Sequence, residues 1–405
     1  MSNMKRSNGT SPLAKAAALG VALLAFASGQ QAGATPTGRA QALRMYERLT
    51  GTPPSEALLT TLEGMVGAGS IPELESTAAF IINPNNESSK NFYSVTLKNF
   101  ASPWTNRDQS IFAPLNDYTA TVIGLVKDDA DFRQVLFDDV VYIGNGSGVP
   151  PYSPTSNAHY DALESNSVDL RGLTRTTQSS LNGLPPAATA GVITSRAGAE
   201  AFFIDGTNRA MFRFTLMNHM CRDLEQVQDT SRPPDRIRQD VTRSPGGDSS
   251  VFNNNCIGCH SVMDSMAQAF AYYDYDKTAG RLVYTPGQVQ PKYLINSDNF
   301  KPGYVTPNDA WENRMRLPGR NDERVLGWSP SLPGSGSGAK SLGQELAYSG
   351  AFAQCQAEKA YRKVCFRAPA TLAEHNAVRS IGDNFQTNGS MRQVFAQVAA
   401  QCAGQ

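Results

Sequence analysis

Cys256-Ile257-Gly258-Cys259-His260 is the stretch on which the fold reading turns. Two cysteines three apart on one helical turn can reach the two vinyl groups of a porphyrin and form thioethers. The next residue then lies beneath the ring, where its imidazole can bind iron. Cys-x-x-Cys-His at this spacing is the attachment signature of c-type haem. Rival readings are a zinc site and a redox-active dithiol. Zinc wants about four ligands, and no second Cys/His cluster lies nearby in sequence. A thioredoxin-like dithiol sits in a βαβ setting, which the flanking sequence does not offer. The motif therefore predicts one covalent haem c, held by Cys256 and Cys259, with His260 as the proximal iron ligand. It occurs once, which excludes multihaem wires and dihaem enzymes.

Working outward, the sequence predicts a mostly α protein. An N-terminal helical region precedes a C-terminal cytochrome c-like haem region with long loops. The expected division is 1–34 as a signal peptide, 35–200 as a mainly helical domain, 201–340 as the haem-binding region and 341–405 as a helical tail. Apolar spacing predicts helices from Arg39 to Leu49, ending at Gly51, and from Glu56 to Val66, capped by Ser55. A third helix is expected over Pro72–Ile82, further apolar runs cover Tyr118–Val126 and Asp131–Asp139, and Val140–Ile143 reads as a short strand. Ala199 to Leu224 reads as helix and 229–250 as a long loop. The stretch 278–340 is rich in Gly, Pro, Ser and Asn, and loops of that length are usually functional. The tail reads as helices near 341–366, 371–386 and 390–402.

The leader has the layout of a secretory signal peptide: Lys5, Arg6 and Lys15, then apolar Ala16–Phe26, then Ala32-Gly33-Ala34. Cleavage is expected before Thr35. No later apolar run is long enough for a transmembrane segment. A periplasmic or extracellular bacterial location follows as an expectation. Lys+Arg number 36 and Asp+Glu 36 in 405 residues, so net charge supplies no footprint for nucleic acid or an anionic membrane. The expected partners are redox proteins.

Export permits disulfides. With Cys256 and Cys259 on haem, Cys221, Cys355, Cys365 and Cys402 remain. Read as one helix from Ser341 to Arg367, the tail sets Cys355 and Cys365 about 15 Å apart, beyond a disulfide's reach. Two bridges that draw in Cys221 and Cys402 are expected, in either pairing.

The sixth iron ligand stays open at this stage. Met315, in the loop-like segment Trp311–Pro318, and His219, on the preceding helix-like stretch, are the alternatives, beside another residue or a vacant position. Met263 and Met266 follow His260 on its own helix and belong to the packing. His159 and His375 read as surface residues. Arg238 and Arg243 have the geometry to pair with haem propionates, with a solvated loop as the bland alternative. Trp311, Trp328, Phe270, Tyr272 and Tyr273 are wall or core aromatics. Asp274 and Asp276 could bind calcium, though two carboxylates are weak evidence for such a site.

The run Cys256-Ile257-Gly258-Cys259-His260-Ser261-Val262-Met263-Asp264 resembles the Cys-x-x-Cys-His-x-x-Met-Asp stretch of secreted planctomycete-type monohaem cytochrome c proteins, bacterial proteins built from domains of unknown function. Similar too are the aromatic segment ending at Asp276, the Phe352–Cys355 and Val364–Arg367 pieces, and the opening Tyr46–Gly51. Ser265-Met266-Ala267 departs from the Pro-x-Gly usual there. The resemblance implies haem binding and electron transfer, without a substrate. The leading expectation is one-electron transfer. The alternatives are a haem enzyme (oxygenase or peroxidase) with an open distal site, and a subunit of a larger extracytoplasmic redox complex. No Gly-x-Ser-x-Gly elbow, phosphate loop or His-Glu-x-x-His is present.

Overall fold

The computed structural model describes residues 37–294, 301–318 and 323–403. The expected signal peptide lies outside the described residues. The protein is mostly α, with three short two-stranded antiparallel pairs.

Three helices open the chain: Gly38–Thr50, Glu56–Val66 and Ile71–Ile81. Their ends obey local chemistry. Gly51 stops the first in a left-handed conformation (φ 73°), which glycine adopts without a Cβ penalty. Ser55 Oγ accepts the Leu58 amide at 3.3 Å and starts the second. The chain closes with Gly350–Cys365, Leu372–Asn388 and Met391–Cys402, which pack on one another. The last of these lies against Ile71–Ile81, and Arg48 Nη1 donates to the Cys402 carbonyl at 2.6 Å.

Asp117–Lys127 runs through the middle. Every residue from Asp117 to Val126 is buried, as a helix apolar on nearly all sides must be. The strand Val141–Ile143, expected from its β-branched run, pairs with Thr174–Thr176 and packs on this helix. Tyr142 passes directly over Gly124, where any Cβ would sit 2.1 Å from its ring. Tyr273–Asp276 and Arg281–Tyr284 form a hairpin, and Ala310–Glu312 pairs with Ser335–Ser337. One apolar core joins residues from Ala42 to Ala403, so the regions 35–200, 201–340 and 341–405 share it.

Several local expectations are corrected. Ala199–Leu224 is two helices, Arg196–Phe202 and Arg209–Thr215, the second extended by a π-helical turn, Leu216–Met220. Between them Asp205, Gly206 and Asn208 all have positive φ, which no helix carries. The single helix expected over 341–367 breaks at Tyr348–Ser349, where Ser349 Oγ caps the Phe352 amide at 3.1 Å. The apolar run Asp131–Asp139 forms a 3₁₀ turn, Phe132–Leu136. Among the described residues, no helix is long and apolar enough to cross a membrane.

Candidate haem attachment site

The motif spans the joint between a π-helical turn, Phe252–Cys256, and the helix Ile257–Ala267. π turns interrupt helices frequently at functional positions. Asn253–Asn255 are exposed, Cys256, Cys259 and His260 are half-buried, and Ser261 onward is buried. The motif residues therefore occupy the boundary between solvent and core. From the other side the segment 228–230 crosses the turn. The Asp229 amide donates to the Gly258 carbonyl at 3.1 Å. A Cβ at Gly258 would lie 3.2 Å from Gln228 Oε1 and 3.3 Å from its Cβ, so a bare residue suits this crossing.

The cysteines divide cleanly. Cys221 bridges Cys355 and Cys365 bridges Cys402, with Cα–Cα distances of 5.3 and 5.6 Å. This is one of the two pairings left open by the sequence. Cys256 and Cys259 remain free thiols. Burial, with Glu225 and Asp223 adding to it, pushes the Cys259 thiol up. An activated thiolate has the opposite shift.

His260 is held by a carboxylate one helical turn on. Its Nδ1 lies 3.2 Å from both Asp264 oxygens, while 19 % of the imidazole remains exposed. Nδ1–H donates to Asp264, so Nε2 is the nitrogen left for a metal. Asp264 is clamped in turn: Arg209 Nε and Nη2 reach its two oxygens at 2.8 and 3.0 Å, and Arg209 Nη1 and Nη2 reach Asp240 at 2.6 and 2.8 Å. Burial alone would raise the Asp264 carboxyl. The Arg209 and Arg238 charges, with hydrogen bonds from His260 and Arg209, hold it well below the usual carboxylate range.

Arg209 is placed by its neighbour. Asn208 takes a left-handed conformation at the helix start, and its Nδ2 donates to the Phe270 and Tyr273 carbonyls, each at 2.9 Å. Those carbonyls follow the motif helix, so the two helices are tied at this end. Arg238 lies in the same cluster, 2 % exposed, with its Nη2 on Thr207 and its guanidinium 4.7 Å over the Tyr293 ring. Its Nη1 has no hydrogen-bond partner. Arg243 instead folds onto Phe252 and donates to the Val241 and Ile237 carbonyls.

Met315 is fully buried on the 3₁₀ turn Arg314–Arg316, which packs against the motif helix. Asn313 Oδ1 accepts its amide, and Asn313 Nδ2 and Arg316 anchor the turn to Glu345. His219 is buried and already engaged: Nε2 lies 2.7 Å from the Tyr118 hydroxyl, and the ring sits between Trp104 and Phe352. Met263 and Met266 are in the core, and His375 is exposed, as expected. His159 is not a surface residue. It is buried, with Nδ1 on the Pro150 carbonyl at 2.7 Å and Nε2 accepting the Gly144 amide, and it pins that loop.

The aromatics chosen from the sequence are core residues. Phe270 and Tyr273 pack on Phe203, Tyr272 packs near Tyr284, Trp311 Nε1 donates to Ser341 Oγ, and Trp328 is buried. Asp274 pairs with Lys292 and Asp276 accepts turn amides. Sequence reasoning passed over Arg209 and Asp240, and gave Asp264 no role. The His260/Asp264 spacing of four was a readable signal, because such pairs face each other on a helix. Nothing in the sequence pointed to Arg209 or Asp240. Searches against protein-family models, curated proteins and solved structures find no match to this chain.

Proposed function

We propose that this chain is an exported monohaem c-type cytochrome that acts in one-electron transfer. One observation carries the reading: of six cysteines, the two left free are those of the Cys-x-x-Cys-His motif, and the adjacent histidine has Nδ1 taken and Nε2 available. The donor set fits haem c: two thiols on one turn for the thioethers, and one imidazole oriented by a carboxylate, the usual second-sphere arrangement for a metal-bound histidine. Haem would supply an iron that gains and loses one electron. The protein's own work is to hold His260, to exclude water from Asp264, and to set the charge beneath the ring. The two disulfides are compatible with an oxidising compartment. Partners would be redox proteins met through small transient contacts. The likeness to planctomycete-type monohaem proteins rests on the motif stretch itself.

A haem enzyme with an open distal position is the second reading. It is favoured by His219, whose Nε2 is already committed to Tyr118. Visible spectra of the purified protein, oxidised and reduced, with and without carbon monoxide, separate the two. A low-spin spectrum indifferent to carbon monoxide is expected for the carrier, and immediate carbon monoxide binding would favour the enzyme. The paired variant Cys256→Ala/Cys259→Ala should lose all haem that survives denaturing electrophoresis. A wild-type protein without covalent haem sinks both readings.

A further inference from the structure

The buried chain Asp240–Arg209–Asp264–His260 does more than fill space. A histidine whose only task is to reach a metal can rest its second nitrogen on any carbonyl. Here that nitrogen meets a full carboxylate, and the carboxylate has no access to solvent. Arg209 grips it with two guanidinium nitrogens and is itself gripped by Asp240, so the Asp264 oxygens cannot rotate away from the imidazole. The Arg209 helix is tied to the far end of the motif helix through Asn208, which fixes the distance between clamp and ligand. Two carboxylates face two guanidiniums, Arg209 and Arg238, at 2.6 to 3.7 Å.

Resting on the haem reading above, we infer that Asp264 is a positioning residue that makes His260 an unusually basic proximal ligand, and that Arg209 and Asp240 hold it there. A carboxylate that accepts the Nδ1 proton pushes electron density toward Nε2 and raises ligand basicity. A more basic nitrogen favours the ferric state, which carries one more positive charge than the ferrous. The result is a lower midpoint potential and a stronger iron–imidazole bond. No bond is made or broken in the protein when the electron arrives; the proton stays between Nδ1 and Asp264.

The test uses the holoprotein and two readouts besides turnover: the midpoint potential, and the coordination number of the ferrous nitric oxide adduct. Nitric oxide weakens the bond opposite itself, so a strong imidazole keeps the adduct six-coordinate and a weak one lets go. The wild type should stay six-coordinate. Asp264→Asn should raise the midpoint potential and shift the adduct toward five-coordinate, and Asp264→Glu should return both toward wild type. Asp240→Asn loosens the Arg209 grip without touching His260; it should move both readouts in the same direction as Asp264→Asn, and less far. A five-coordinate wild-type adduct overturns the inference even if Asp264→Asn fails to fold. Wild-type coordination and wild-type potential in Asp264→Asn also overturn it. A wild-type protein with no covalent haem overturns the reading beneath it instead, which is a separate result.

Discussion

His219 shows how far a single residue's surroundings can decide its role. Its ring is enclosed by Trp104, Phe352 and Tyr118, and its Nδ1 has no partner. Burial, and next to it Lys359, holds the imidazole well below its ordinary value. The folded protein therefore keeps His219 neutral where an unfolded chain would take up a proton. Stability is intact above the unfolded value, roughly pH 6.5, and falls as pH drops from there toward the folded value, at up to about 1.4 kcal/mol per pH unit. Other groups add slopes of their own, so the prediction is a difference. His219→Gln keeps an acceptor for the Tyr118 hydroxyl but cannot protonate. Urea midpoints at pH 7.5 and 5.5 should fall further apart in the wild type than in the variant. Equal shifts would mean that His219 does not govern this window.

At the scale of elements, two glycines make a contrast. Gly343 sits in the helix Gly338–Ala347, and a Cβ there would lie 1.9 Å from the Leu136 carbonyl oxygen. Backbone cannot give way as a side chain can. Gly343→Ala should cost about 1–3 kcal/mol or more through overpacking, against a helix-propensity gain of about 1 kcal/mol. Gly64 lies in the helix Glu56–Val66, and an added Cβ there would meet nothing within 4 Å. There Ala should stabilise by roughly 0.5–1 kcal/mol. Thermal unfolding of the pair checks both signs. These elements also show what a sequence can disclose. Helices whose caps and apolar spacing agree, such as Gly38–Thr50 and Glu56–Val66, were legible to within a residue or two. The break at Asp205-Gly206 was legible in principle as a turn dipeptide, but the apolar spacing on both sides masked it. His159 was unreadable, because its burial depends on a loop folding back over it. The candidate site divides the same way. Cys256, Cys259 and His260 are read from spacing along one turn. Arg209 and Asp240 reach Asp264 from distant segments, and no periodicity encodes that meeting.

For the molecule as a whole, composition shifts suggested three successive regions, yet the packing joins them. The C-terminal helix Met391–Cys402 lies on Ile71–Ile81, and Gly338–Ala347 lies on the turn Phe132–Leu136. Cys221–Cys355 ties the helix that begins at Arg209 to the tail, and Cys365–Cys402 closes the tail on itself. With a shared apolar core, loss of one region exposes the faces it covered on the others, so none has an independent reason to stay folded. Single domains of this kind unfold cooperatively when their core is continuous, whereas multidomain chains show separate steps. The tryptophans offer local probes: Trp104 stands among the N-terminal helices and the tail, and Trp311 stands on the strand Ala310–Glu312, which packs on the motif helix. In urea, with disulfides intact, far-ultraviolet dichroism, the fluorescence of a Trp104-only variant and, if the proposed haem is bound, its absorbance should change at one common midpoint. A Trp104 transition displaced from the haem transition would show that 35–200 folds on its own, and the motif region would then be a separable module. Coincidence would mean that changes far from His260, at the N-terminal helices included, alter haem stability through the shared core.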